Sequence, residues 1–291
     1  MKIAFVGLGI MGESMCENII KKHDGQVFVY DVVPEKVKKL EALGGTACES
    51  APEAAEKADV FITMVPRSEH SRAVYESILP ALHAGKICID MSTIDPGVSV
   101  EIAGKVKATG AQFIDAPVVK SKPAAIAGKL GIYVGCDEDV YETVCPVLYY
   151  MGENVIRMGG NGKGLVMKIC HNALVSQIQN GVNETATLAQ LNGIDILSYA
   201  QAISYGGAGN WYLDSKKDVI AREDFTTAFS VENEHKDVHI CLNLANACGF
   251  RMPGEENAAR VYDRALEMGI GKEDFSATIK VVREGREKNE T

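Results

Sequence analysis

The sequence predicts an α/β domain built on a parallel sheet, followed by an all-helical domain. Three observations lead there. Apolar, β-rich runs alternate with helix-like segments through the first half of the chain. A glycine-rich turn joins the first of these runs to the first helix. Beyond about residue 160 the strand signals stop and only helical patterns continue.

The strand candidates are "KIAFVG" (2–7), "QVFVYD" (26–31), "DVFITMV" (59–65), "KICIDM" (86–91), "AQFIDA" (111–116), "LGIYVG" (130–135) and "NVIRM" (154–158). They are nearly continuous in apolar residues, as strands covered on both faces must be. Helical patterns fall near 10–22, 34–43, 68–79, 96–109 and 137–150. After "MGGNGKG" (158–164) the run from Leu165 to Leu191 lacks proline and is apolar almost all round. As one helix it would extend roughly 40 Å, and its apolar faces call for burial between domains or subunits. The expected division is residues 1–161 for the sheet domain and 162–291 for the helical one, with the last eight residues, "EGREKNET", fraying.

Gly7, Gly9 and Gly12 in "FVGLGIMGESM" form G-x-G-x-x-G directly between a strand and a helix. The glycines permit a tight turn, close approach of a pyrophosphate and close helix–strand packing, with the phosphates on the helix N-terminus. The loop Gly7, Leu8, Gly9, Ile10, Met11 and Gly12 would therefore hold a dinucleotide, and the first domain reads as Rossmann-type. "VFVYD" ends on Asp31, roughly where the ribose-binding acid belongs. A carboxylate there accepts from the ribose hydroxyls and repels a 2′-phosphate, which favours NAD(H) over NADP(H).

Composition narrows the alternatives. A net charge of −9 with no dense Lys/Arg run argues against nucleic acid or an anionic membrane as partner. None of the eight cysteines forms C-x-x-C, so a zinc ribbon or dithiol site is not expected, and several lie in apolar runs where Cys packs as a small hydrophobe. Reduced thiols, the absence of a signal-peptide pattern and the lack of a bilayer-length apolar run point to a cytoplasmic protein.

"GKGLVMKICHN" carries Gly164, Lys168, His171 and Asn172. On a helix Lys168 and Asn172 share a face one turn apart. An ammonium on so apolar a helix costs several kcal/mol unless partnered. Lys168 is thus either a paired structural cation or a functional amine with a lowered pKa.

With "GLGIMGESM", "DMST", "DAPV…AIAG", "GKGLVMKICHN" and "HKDV" in this order, the chain resembles the β-hydroxyacid dehydrogenases, which include 3-hydroxyisobutyrate dehydrogenase and tartronate semialdehyde reductase. The likeness runs nearly the whole length, to "EDFSA". It implies that Lys168 is the catalytic acid/base and that Asn172 holds the lysine or the substrate. It further implies Thr93 near the nicotinamide, Val65 and Pro66 along the cofactor, and Lys236 closing over it. His171 reads as a polar packing residue.

One stretch departs from that family. After D-A-P-V most members have Ser-Gly-Gly, which holds the substrate carboxylate; this chain has Val119, Lys120 and Ser121. The arrangement is similar to that of sulfolactaldehyde reductases, in which a basic and a hydroxyl residue grip a sulfonate. An ammonium plus a hydroxyl suits a tetrahedral anion. Lys120 and Ser121 are therefore expected to seat a sulfonate or second acidic group, whereas Lys122 reads as a solvated loop charge.

His235 and His239 have the i, i+4 spacing of zinc ligands, but without the H-E-x-x-H text or an evident third ligand no metal is expected. "GGAGNWYLD" (206–214) is a helix–helix turn with Trp211 as anchor, or a pocket wall near Asn210. "PEKVKKLEA" reads as an exposed helix face. The expected function is an NAD(H)-linked 3-hydroxyacid dehydrogenase or aldehyde reductase acting on a short anionic substrate. The apolar long helix further suggests a homodimer or homotetramer. A non-catalytic dinucleotide-binding module would have no use for Lys168, and a decarboxylase like 6-phosphogluconate dehydrogenase would want a larger helical domain.

Overall fold

The computed structural model describes residues 1–285; the expected fraying of the C-terminus falls on 286–291, outside the described residues, save for Glu284 and Gly285. The chain groups into two compact units, Met1–Lys168 and the residues from Ile169 onward.

In the first unit the order is β1 (Ile3–Val6), α1 (Gly12–Lys22), β2 (Val27–Tyr30), α2 (Pro34–Glu41), β3 (Thr46–Ala47), α3 (Ala51–Lys57), β4 (Val60–Thr63), α4 (Ser68–Ile78), β5 (Ile87–Asp90), α5 (Pro96–Lys107) and β6 (Gln112–Asp115). It continues with β7 (Val118–Val119), α6 (Lys122–Ile126), β8 (Leu130–Gly135), α7 (Glu138–Leu148) and β9 (Gly152–Gly159). The strands lie in the order β3-β2-β1-β4-β5-β6-β8-β7, with β9 also paired to β8. From β3 to β6 all pairs are parallel.

The period-2 pleat explains why these strands are apolar at every position. Ile3, Phe5, Val27, Val29, Ile62 and Ile114 enter one core, while Ala4, Val6, Phe28, Phe61 and Phe113 enter the other, on the opposite face. Leu165 at the start of the long helix joins the second core.

Two features were not legible in the periodicity. β8 runs antiparallel to β6 and β7. A parallel crossover usually carries a full helix, whereas the link between Asp115 and Leu130 holds the short strand β7 and only the five-residue α6. Helix α3 has alanines rather than bulky residues on its buried face, Ala51, Ala54 and Ala55. Its capping signal was present nonetheless, for Ser50 Oγ accepts from the Glu53 amide at 3.3 Å.

The second unit is built on α8 (Lys163–Leu191), whose first residues belong to the sheet unit, with α9 (Ile196–Ile203), α10 (Trp211–Arg222), α11 (Val231–Ala247), α12 (Pro253–Glu267) and α13 (Ile279–Glu284). The long helix is less uniformly apolar in its contacts than its composition suggests. Leu174, Leu188 and Leu191 are about 60% exposed, while Ser176, Gln179 and Asn183 are fully buried. Those polar groups are paired within the unit: Ser176 Oγ donates to Glu255 at 2.9 Å, Asn183 Nδ2 to Thr278 at 3.0 Å, and Gln179 bonds Thr278 and Tyr262. No helix among the described residues is long and apolar enough to cross a membrane.

Candidate active site

The glycine turn is compelled by backbone crowding. Gly7 has φ +96°, and a Cβ there would lie 2.3 Å from the Met64 carbonyl oxygen. A Cβ on Gly12 would lie 2.0 Å from the Gly7 carbonyl oxygen, so α1 packs onto the turn as only glycine allows. Gly9 is different. Nothing lies within 4 Å of its missing Cβ, so its backbone faces open space, as close approach by a phosphate requires. The first turn of α1 receives no side-chain cap, as is also true of α2, α4 and α7. Glycines, open backbone and an uncapped helix start fit a pyrophosphate.

Asp31, at the end of β2, accepts from the Leu8 amide at 2.6 Å and the Val33 amide at 2.8 Å, with Lys36 Nζ at 3.8 Å. The carboxylate ties the glycine turn to the neighbouring strand end. Asp31→Ser should lower the kcat/KM preference for NAD over NADP by about tenfold or more, the worth of one charge-assisted hydrogen bond. An unchanged preference would remove Asp31 from cofactor selection.

At the C-terminal ends of β4 and β5 lie Val65, Pro66 and Thr93. Buried Asp90 accepts from the Ser92 amide at 3.0 Å, and Ser92 Oγ accepts from the Val65 amide at 2.8 Å. This relay through Asp90 and Ser92, not anticipated from the sequence, fixes both segments at the same carboxyl edge of the sheet as the glycine turn. Ligands of open α/β sheets bind along that edge.

The seat of α8 is equally specific. Asp115 closes β6 and accepts from the Gly162 amide at 2.6 Å and the Leu165 amide at 3.0 Å, capping the helix from another strand. Gly164 is obligatory, because a Cβ would stand 2.5 Å from the Tyr133 carbonyl oxygen and 2.9 Å from Asp115 Oδ2. One turn onward, Lys168 is 9% exposed.

Burial, opposed by its two amide bonds, pushes the Asp115 carboxyl up to about 6. The folded pKa lies above the unfolded one near 3.9. The stabilisation it gives is therefore complete below about pH 4 and lost as pH rises through about 6, on the order of 2–3 kcal/mol in all. Urea titrations of the wild type and Asp115→Asn at pH 4 and 7 should show the wild type losing that much relative to the variant. A constant difference between them would contradict the shift.

In the second unit Asn172 is 5% exposed, and its Nδ2 donates to Asp237 Oδ2 at 2.6 Å. Lys236 Nζ lies 3.2 Å from Asp237 Oδ1. Asp237 thus fixes both Asn172 and Lys236. It stood inside "HKDV", but only the packing of α11 on α8 reveals its role. Asn210 caps α10 by accepting from the Leu213 amide at 2.8 Å and donates to the Ala208 carbonyl at 3.0 Å, in the segment between α9 and α10; Trp211 is 66% exposed and so is not the buried anchor expected there.

In the segment between β6 and α6, Val119 is buried in β7, and Ser121 precedes α6 without capping it by its side chain. Lys120 has φ +76°, a left-handed conformation that favours glycine. Its ammonium donates to Glu153 Oε1 at 2.7 Å and to the Lys129 carbonyl at 2.9 Å. The backbone here keeps a glycine's shape while the side chain is held by β9.

Residues 2–160 match the family model of the NAD-binding domain of 6-phosphogluconate dehydrogenase, and residues 162–282 match that described as NAD-binding of NADP-dependent 3-hydroxyisobutyrate dehydrogenase. The chain is 31% identical to the NAD-dependent L-serine dehydrogenase of Pseudomonas aeruginosa, covering 96% of this chain and 97% of that one. It is 32% identical to the mouse mitochondrial 3-hydroxyisobutyrate dehydrogenase, over 97% of this chain and 87% of the relative. A solved structure of Mycobacterium tuberculosis 3-hydroxyisobutyrate dehydrogenase with L-serine superposes with a TM-score of 0.90 at 31% identity, covering 97% of this chain and 99% of that one. Fold and matches together define an NAD(P)-dependent oxidoreductase. The chain belongs to the 3-hydroxyisobutyrate dehydrogenase-like β-hydroxyacid dehydrogenase family.

Proposed function

We propose that the protein is an NAD(H)-linked 3-hydroxyacid dehydrogenase that interconverts a short anionic aldehyde and its hydroxy acid, with Lys168 as acid/base. The observation that carries this is a buried lysine placed one turn after a glycine that nothing larger can replace. NADH, when bound, supplies the hydride. As negative charge grows on the aldehyde oxygen, the Lys168 ammonium stabilises it and delivers a proton; in the other direction the neutral amine takes the proton back. Asn172, itself held by Asp237, fixes the donor or the substrate. Gly7, Leu8, Gly9, Ile10, Met11, Gly12, Asp31, Val65, Pro66, Thr93 and Lys236 are assigned to the cofactor, with NADP less favoured because of Asp31.

The substrate anion is assigned to Val119, Lys120 and Ser121, and we read it as a sulfonate of the sulfolactaldehyde type. For this Lys120 must exchange Glu153 for the substrate, a modest demand on a solvent-exposed ion pair. A second reading, a carboxylate as in 3-hydroxyisobutyrate or tartronate semialdehyde, is supported by the φ of +76° at Lys120. That conformation would present the backbone amides as the family's glycines do. NADH oxidation across aldehydes bearing carboxylate, sulfonate or phosphonate separates the two. Lys120→Ala should raise KM for the sulfonate about tenfold or more and leave the melting temperature nearly unchanged. If KM does not move, the loop binds through its backbone and the carboxylate reading holds. The exposed leucines of α8 support a homodimer or homotetramer, which equilibrium sedimentation at the mass of one chain would exclude.

A further inference from the structure

Two histidines and an aspartate converge in the helical unit, apart from the residues assigned to catalysis. His235 and His239 lie one turn apart on α11, their ring centroids separated by 4.3 Å. Asp263, on α12, meets both: His235 Nε2 lies 2.8 Å and His239 Nε2 2.9 Å from the same Asp263 Oδ1. One ligand atom from each residue falls within a set whose members are all within 4.8 Å of one another. The third ligand that the histidine spacing lacked in the sequence is thus supplied by the packing of α12 on α11.

The chemistry of this convergence is specific. One carboxylate oxygen faces two imidazole nitrogens, so either two protons or one cation must occupy the space between them. Two imidazoles and a carboxylate form a donor set suited to zinc(II) and its borderline neighbours, and three protein ligands leave a position for water. With bonds of about 2.0–2.1 Å, tetrahedral ligand atoms stand about 3.3 Å apart. The Asp263 oxygen would need to withdraw by about half an ångström. Its side chain is 48% exposed and has the freedom to do so. The side chains of His235 and His239 are 25% and 40% exposed, which gives an ion a path from solvent.

We propose that His235, His239 and Asp263 form a binding site for one zinc-class divalent ion that fastens α11 to α12. The site stands directly beside Lys236 and Asp237 on α11, and Asp237 accepts from Asn172. An ion bound only by the folded state raises stability in proportion to the logarithm of its concentration over Kd.

The test uses the untagged full chain, stripped with chelator and titrated with cobalt(II), then with zinc(II). One equivalent of cobalt should produce visible d–d bands that zinc displaces, and zinc should raise the melting temperature. His239→Ala should weaken zinc binding at least about tenfold, as loss of a ligand demands. Asp263→Ala, a second variant at a half-exposed position, should do the same, with circular dichroism confirming that both fold. A Cys170→Ser/Cys248→Ser variant, lacking the two exposed thiols, should bind as the wild type does. The proposal is overturned if the stripped protein takes up no cobalt or zinc, if both ligand variants bind zinc as tightly as the wild type, or if the cobalt spectrum disappears with the cysteines.

Discussion

Lys168→Ala should lower kcat for aldehyde reduction by about 10²–10⁴-fold, the range for removing a positioned proton donor. The physical reason lies in where the amine stands. It is 9% exposed on a helix whose start is fixed by Asp115 and Gly164, so water cannot easily replace it. Because the proposed dinucleotide contacts are the glycine turn and Asp31 rather than Lys168, dinucleotide affinity should be retained. Cofactor titration by fluorescence checks this. Lys168→Arg should recover little activity, because a guanidinium cannot surrender its proton near neutral pH. A Lys168→Ala enzyme within a few-fold of wild-type kcat would end the acid/base assignment, and the proton would have to come from elsewhere.

Gly164→Ala is expected to damage catalysis from a distance. The added methyl meets the Tyr133 carbonyl, the Asp115 carboxylate and the Gly135 amide, none of which is the loose end of a flexible side chain. Overpacking of this kind costs about 1–3 kcal/mol, and the helix relieves it by lifting its first turn from the sheet. Lys168 rides on the next turn. A displacement near 1 Å at a reacting group can cost about 10²-fold in rate, and a loss of that order in kcat is predicted, with cofactor affinity little changed. Gly12→Ala makes the contrasting case, because its crowding falls on the glycine turn, where cofactor affinity should suffer first. The reading fails if Gly164→Ala lowers stability and leaves kcat intact.

Much of the fold was written in local patterns. Strands such as "KIAFVG" and "DVFITMV" announce burial on both faces, and β1 and β4 lie side by side at the centre of the sheet. The glycine turn, Asp31 and the long helix were legible because each rests on short-range constraints: a backbone angle, a fixed spacing, an uninterrupted helical run. The antiparallel β8 was not, because strand direction depends on the path of the link rather than on the strand's own residues. Helix α3 escaped because alanine gives little periodic contrast, although Ser50 and Glu53 marked its start.

The site divides along the same line. By itself the sequence put forward the residues proposed for the chemistry: Gly7, Gly9 and Gly12 for phosphate, Asp31 for ribose, Lys168 for the proton. Only the tertiary structure decided what holds them. Asp115 caps α8 from a strand 47 residues earlier than Gly162, Asp237 reaches Asn172 across 65 residues, and Asp263 joins His235 across 28. It also decided that Lys120 keeps a glycine's backbone angle while its ammonium rests on Glu153. A spacing rule reads neighbours along one helix or strand. Groups from different elements meet only once burial has packed those elements together, and no local pattern encodes that meeting.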